Sequence, residues 1–307
     1  MNIYYLLIIP IIVGAFLQEF FKKKFQNERE EHKNMPSVIL YSLTLTSASF
    51  IALTILWAFN GFENIIYPTT VTIAFAFGVL YVVATIYSLL ALFSGPFALT
   101  ALILSYSLIL PTGFGLIFYS GGNAPSVFVI SGIILIFVSL FLVRTKSDNA
   151  GVKITGKWII YSVIAFASNG TLNILQTIHN EENAKNSINV EPYIFMLWSM
   201  FFVVVSFAII ALIYFTKNKN KGLAMPNTSS LLKFGCATGV SNTVMNVLVL
   251  TVNGIYVPAF ILFPLMSVGQ LTLIFFVSVL FFNERYSTSQ YIGYFLGMIS
   301  IVLLNIG

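Results

Sequence analysis

Phe281 to Gly307 reads FFNERYSTSQYIGYFLGMISIVLLNIG. An acid and a base, Glu284 and Arg285, stand side by side near its start, and nearly every residue after Gln290 is apolar or small. Crossing a hydrocarbon core of about 30 Å takes roughly 20 apolar residues in a helix, so positions 288–306 suffice for one span. Ser287 precedes Gln290 by three positions, the spacing of a capping box, in which each side chain bonds the other residue's backbone N–H. The stretch therefore predicts an interfacial turn followed by a membrane helix. Glu284 is expected near the positive end of that helix's dipole, either as part of the turn alone or as part of a gate. Gly293, Gly297 and Ser300 fall on one narrow face that permits close helix approach.

The same pattern fills the chain. Of 307 residues, 58% are hydrophobic and 8% charged, with a mean hydropathy of +0.93. A water-soluble domain carries roughly a quarter charged residues, so this chain lacks the surface for one. Ten segments read as spans: 3–21, 37–59, 67–92, 97–118, 124–144, 157–178, 193–216, 231–251, 257–281 and 288–306. The short connections leave no attached soluble domain. The first segment has its lysines, Lys22 to Lys24, after the apolar run rather than before it, which is the reverse of a cleavable signal.

Fourteen of the fifteen basic residues lie in or beside the connections after spans 1, 3, 5, 7 and 9; Lys185 is the exception. The positive-inside rule puts those connections in the cytoplasm and both termini outside. The positive charge thus sets topology; the expected partner is the lipid bilayer, and no nucleic-acid signal is present. Cys236, the one cysteine, excludes an internal disulfide and is expected to pack within span 8. His32 and His179 fall in or beside connections on opposite faces, so no shared metal is expected. The connection 179–192, with Glu181, Glu182 and Glu191 against Lys185, reads as a solvated link or a lid.

Two halves echo one another. Pro36 and Pro192 open spans 2 and 7, 156 positions apart. Gly78 pairs with Gly239, Gly132 with Gly293 and Ser139 with Ser300, each 161 apart. Five helices per half is an odd number, so the second half enters the membrane from the other side, as in many secondary transporters. The expected fold class is all-α: a polytopic membrane protein with ten transmembrane helices in two inverted five-helix repeats, residues 1–148 and 149–307.

Five plus five helices, the NER turn at 283–285 and the Q-x-x-G-x-x-x-G pattern from Gln290 to Gly297 resemble the drug/metabolite transporter superfamily, and within it the ten-helix EamA-like permeases. The likeness spans the chain and is sharpest from Pro258 to Ile306. The first half departs from the pattern, with YSGGNAPS at 119–126 where a GE turn is common. The resemblance implies a permease in a prokaryotic cell membrane with a cavity lined by helices 1, 3, 4, 6, 8 and 9. Smaller relatives that export cationic drugs carry a glutamate deep in the first helix; here that depth reads IIPIIVGAF (8–16), so that mode of exchange is not expected.

An ionisable residue at membrane depth is a functional pointer, and none falls near the middle of a predicted span. Glu19, at the end of the first, is the candidate rim proton site. The mid-span polar residues are uncharged: Tyr81 and Thr85 in helix 3, Tyr106 in helix 4, Asn169 and Asn173 in helix 6, Asn242 and Asn246 in helix 8, Gln270 in helix 9. These are the candidate substrate-binding residues, with Gln176, Ser107 and Ser267 beside them. Each amide also has a structural reading, a bond to a neighbouring helix worth about 0.6–2 kcal/mol. Helix 2, YSLTLTSASF, carries Ser and Thr that bond their own preceding turn and reads as structural.

Amides and phenols donate and accept without carrying charge, which suits a small neutral or zwitterionic metabolite and not a polyanion. No H-E-x-x-H, acidic metal pair or membrane histidine beside a nucleophile is present, so no enzyme, cofactor or metal is expected. The expected function is a secondary permease working by alternating access as a monomer or homodimer; the alternative is a non-transporting accessory subunit or sensor.

Overall fold

A computed structural model describes residues 6–62, 65–118, 126–144, 154–185, 192–219, 223–252 and 259–306. Among these every regular element is helical: α1 (Ile8–Glu28), α2 (Met35–Phe59), α3 (Pro68–Ser94), α4 (Phe97–Ser105, continued past a 3-10 turn at Tyr106–Leu108 by Ile109–Phe118), α5 (Val127–Arg144), α6 (Gly156–Lys185), α7 (Pro192–Lys217), α8 (Thr228–Val252), α9 (Ala259–Leu280) and α10 (Thr288–Ile306). The boundary drawn at 148/149, the YSGGNAP stretch at 119–125 and residues 186–191 of the connection before α7 lie outside the described residues.

Local chemistry starts and breaks these helices where the sequence carries the signal. Asn34 caps α2 by accepting from the Ser37 N–H at 2.9 Å, with Pro36 in the first turn. Asn227 caps α8 through Ser230 N–H at 3.1 Å. At α10 the capping box forms in both directions, Ser287 N–H to Gln290 Oε1 at 2.9 Å and Gln290 N–H to Ser287 Oγ at 3.3 Å. The break in α4 precedes Pro111, which has no N–H to return to the Ser107 carbonyl.

Four helices (Met35–Phe59, Pro68–Ser94, Gly156–His179 and Tyr193–Lys217) are long and apolar enough to cross a membrane, and shorter apolar helices accompany them. Large apolar side chains such as Phe75, Phe137, Phe141, Ile209 and Leu212 point outward, while Ser42, Thr46, Ser49 and Ser139 are buried. A soluble protein rarely exposes so much contiguous apolar surface; in a bilayer that surface is solvated by lipid. The chain is a membrane protein, and its described residues are helical.

Helix α3 packs on α6 as α1 packs on α8, α2 on α8 as α3 on α7, and α1 on α9 as α4 on α6. Close contacts rest on glycine. A Cβ on Gly239 would stand 2.3 Å from the Leu45 carbonyl oxygen on α2, and one on Gly78 would stand 2.6 Å from the Phe202 Cβ on α7. The small face of α10 meets α5, where Ser139 Oγ donates to the Gly293 carbonyl at 2.7 Å. Threonines of α2 bond their own helix, as from Thr46 to Ser42 O at 2.8 Å.

The ends of the helices flanked by basic residues meet on one face. His32 stacks on Phe25 at 4.2 Å; its Nε2 accepts from the Asn227 N–H at 3.3 Å, so its Nδ1–H donates to the Phe25 carbonyl at 2.7 Å. Lys23 donates to the Leu92 and Gly95 carbonyls at 3.0 and 3.3 Å, and Gln26 to Leu89 O at 3.2 Å. Glu284 differs from expectation. Asn283 takes a left-handed conformation, φ 52°, which asparagine tolerates, and the carboxylate then reaches α4 instead of capping α10. Both its oxygens accept from the Phe97 N–H, at 2.8 and 2.9 Å, with Lys23 Nζ at 3.8 Å. The Tyr286 hydroxyl also donates to it. Burial, reinforced by that carboxylate, raises the phenol's pKa well above its ordinary value, so it stays a donor. Arg285 is exposed beside it.

Candidate functional site

Seven helices line a cavity of about 460 Å³ that opens to one side. From α3 come Tyr81, Thr85 and Ser88; from α4, Ser105 and Ser107 at its broken turn. Asn169, Asn173, Gln176 and His179 of α6 follow one another at three- or four-residue spacing, so one face of that helix lines the space. Asn246 comes from α8, Ser267 and Gln270 from α9, and Phe195 and Met196 from α7. The six helices implied by the family resemblance all contribute, and α7 adds apolar wall.

Most polar groups here are partly committed to the protein, which orients them. Asn169 Nδ2 donates to Ala165 O at 2.9 Å, and Gln270 Nε2 to Ala15 O on α1 at 3.1 Å. Asn246 Nδ2 donates to the backbone and side-chain oxygens of Asn242, at 2.7 and 3.1 Å. A carboxamide held through one N–H keeps its oxygen for another partner.

Two candidates lie elsewhere. Asn242 is buried against α2, its Nδ2 3.4 Å from Ser49 Oγ, because the close approach at Gly239 brings α2 over that face of α8. It holds Asn246 and is not in the cavity lining. Tyr106 is buried where α4, α5 and α10 meet, its hydroxyl bonded to Ser139. The 3-10 turn rotates it away and leaves Ser105 and Ser107 facing the cavity. Tyr81, Thr85, Asn169, Asn173, Asn246 and Gln270 are brought together as expected.

Glu19 needs a larger correction. It does not end its helix, since α1 continues through KKKFQNE to Glu28. Glu19 lines the cavity with Lys22, the two paired at 2.6 Å and within electrostatic reach of Tyr81. Lys22, read from the sequence as a topology signal, is thus a site residue. The sign available beforehand was the i, i+3 spacing of opposite charges in a run of good helix formers. His179 is likewise inside a helix and not beside a connection. It is buried, lines the cavity, stacks on Phe195 at 4.4 Å and lies 3.0 Å from Thr70 Oγ1. It extends the polar stripe of α6 by one turn, which the spacing Gln176-x-x-His179 already implied. Cys236, expected to pack, is exposed on α8. Among the described residues no group of three or more His, Cys, Asp or Glu side chains is placed to hold a metal ion.

The fold and the site define an all-helical membrane protein with a polar chamber at its centre. No family model and no curated protein matches the chain. A solved structure described only as a crystal structure of a protein is similar over 96% of this chain and 98% of its own, with a TM-score of 0.57 and 12% identity. At that identity the likeness concerns the fold alone.

Proposed function

We propose that this protein is a secondary permease of the drug/metabolite transporter type, moving a small neutral or zwitterionic organic solute by alternating access. The observation that carries the reading is the central cavity itself. It draws on α1, α3 and α4 from the first five helices and on α6 to α9 from the rest, and its wall is made of amides, hydroxyls and one internally neutralised ion pair. Such a wall holds a polar solute without a fixed net charge; phosphorylated compounds call for a basic clamp.

The helix packing supports an inverted repeat. Advancing each helix number by five turns the α3–α6 contact into α8–α1, α2–α8 into α7–α3, and α1–α9 into α6–α4. Gly78 of α3, packed against α7, and Gly239 of α8, packed against α2, are counterparts under the same exchange. Two halves related in this way can trade conformations, opening the chamber first to one side and then to the other. On the face carrying the basic residues, Lys23, Gln26 and Glu284 tie α1, α3, α4 and the α9–α10 turn together, and the opposite state requires these ties to part.

Solute flux into proteoliposomes tests the reading. Wild-type protein moves a solute from a panel of amino acids, sugars, nucleobases and quaternary amines, and Asn246→Leu abolishes that flux while the purified variant keeps its fold. Unchanged flux in Asn246→Leu places the substrate elsewhere, and absence of flux for the whole panel removes the permease reading for small polar solutes.

A further inference from the structure

We propose that the Glu19–Lys22 pair is the charge receptor of the cavity, and that the solute is a compact zwitterion of the amino-acid type, with an ammonium and a carboxylate on the same or neighbouring carbons. The transport of such a solute rests on the permease reading; its binding does not, and is measured separately.

The pair is incomplete as the protein leaves it. Lys22 Nζ donates to Glu19 Oε1 at 2.6 Å, but Oε2 of the same carboxylate is buried with no hydrogen-bond partner among the described residues. An ammonium has three donors, and one of them accounts for the bond to Glu19. A part-buried carboxylate with one unanswered oxygen, beside an ammonium whose three donors outnumber its one bond to that carboxylate, favours a ligand that meets both. A cationic nitrogen answers Oε2, and an anionic oxygen answers Nζ.

Charge balance then selects among ligands. An anion alone competes with Glu19 for Lys22 and leaves the part-buried glutamate uncompensated; a cation alone does the converse to Lys22. A zwitterion brings one charge of each sign, so four alternating charges stay neutral together.

The neighbouring lysines do not share this role. Lys23 turns to the Leu92 and Gly95 carbonyls and to Glu284, and Lys24 lies over the Phe20 and Phe234 rings. Of the three consecutive lysines, Lys22 alone lines the cavity. A pair formed only to stabilise α1 would sit on the helix exterior, where such i, i+3 contacts contribute little; this one faces Tyr81, Thr85 and Ser88 of α3 across the chamber. The amides of α6 and α9 are then left for the solute's variable part.

Thermal shift and calorimetric titration on detergent-purified protein provide the test, with the twenty standard L-amino acids as probes. The best binder is then compared with its decarboxylated amine, its deaminated acid and its amide. The zwitterion binds, and the singly charged analogues bind at least about tenfold more weakly, a difference of about 1.4 kcal/mol. Lys22→Gln shifts preference toward the amine and Glu19→Gln toward the acid. The exchanged pair, Glu19→Lys with Lys22→Glu, recovers zwitterion binding and so separates a lost receptor from a misfolded helix. Equal affinity for zwitterion and analogues, affinity unmoved by Lys22→Gln, or no amino acid bound by folded protein overturns the proposal. Zwitterion binding with this pattern but no flux upholds the receptor and removes the permease. Flux of an uncharged solute with no zwitterion bound does the reverse.

Discussion

Both oxygens of the Glu284 carboxylate share the single backbone N–H of Phe97, which lies 187 positions earlier in the chain. Pro96 precedes Phe97 and offers no side-chain cap, so the N-terminus of α4 receives its cap from the turn between α9 and α10. The anion stands at the positive end of the α4 dipole, where it is favoured, and Lys23 of α1 stands on its other side.

That arrangement predicts a double effect for Glu284→Ala. Loss of the cap costs about 0.5–2 kcal/mol, visible as a lowered unfolding temperature. The basic face also loosens. In a Cys236→Ser background, a charged thiol reagent added to that face labels Thr85→Cys faster once Glu284 is replaced by Ala. Labelling that stays constant while stability falls would make the turn a cap and nothing more.

Asn242 and Asn246 differ in role although they sit one turn apart. Asn242→Ala removes the groups that orient Asn246, so solute affinity weakens several-fold without vanishing, and stability falls by about 1 kcal/mol. Tyr106→Phe deletes a hydroxyl bonded to Ser139 outside the cavity; it lowers stability by a similar amount and leaves affinity as in wild type. Titration of both variants with the solute that binds best separates them, and a Tyr106→Phe variant with lost affinity would return Tyr106 to the site.

Glycine at the crossing of α2 and α8 is a steric requirement. Gly239→Ala drives a methyl group against the Leu45 carbonyl oxygen and within 2.8 Å of the Ala48 Cβ, and overpacking of this kind costs about 1–3 kcal/mol. Gly113→Ala, in the second half of α4, meets nothing within 4 Å among the described residues and gains up to about 1 kcal/mol of helix propensity. Unfolding temperatures of the two variants are expected to move in opposite directions.

Much of this was legible from residue order. Apolar run lengths found the helices, Pro36, Pro192 and the Ser287–Gln290 box marked the starts of α2, α7 and α10, and Pro111 stands at the break in α4; the caps at Asn34 and Asn227 went unread. The polar midpoints of helices 3, 6, 8 and 9 named six residues that do share a cavity. These features are local: a capping side chain lies within three or four residues of its N–H, and a helical face repeats every 3.6 residues.

What lay beyond reach was which face meets which neighbour. Asn242 and Asn246 look alike in the sequence, and only the packing of α2 against Gly239 buries one and leaves the other to line the chamber. Glu284 could have capped its own helix; its path to Phe97 depends on the position of α4, 187 residues away in the chain. Lys22, Lys23 and Lys24 form one basic run on paper, yet their directions differ by about 100° per residue around a helix, so one lysine enters the cavity, one closes the basic face and one covers aromatic rings. Local chemistry sets the helices and their ends. Long-range packing assigns each side chain its surroundings, and with them its work.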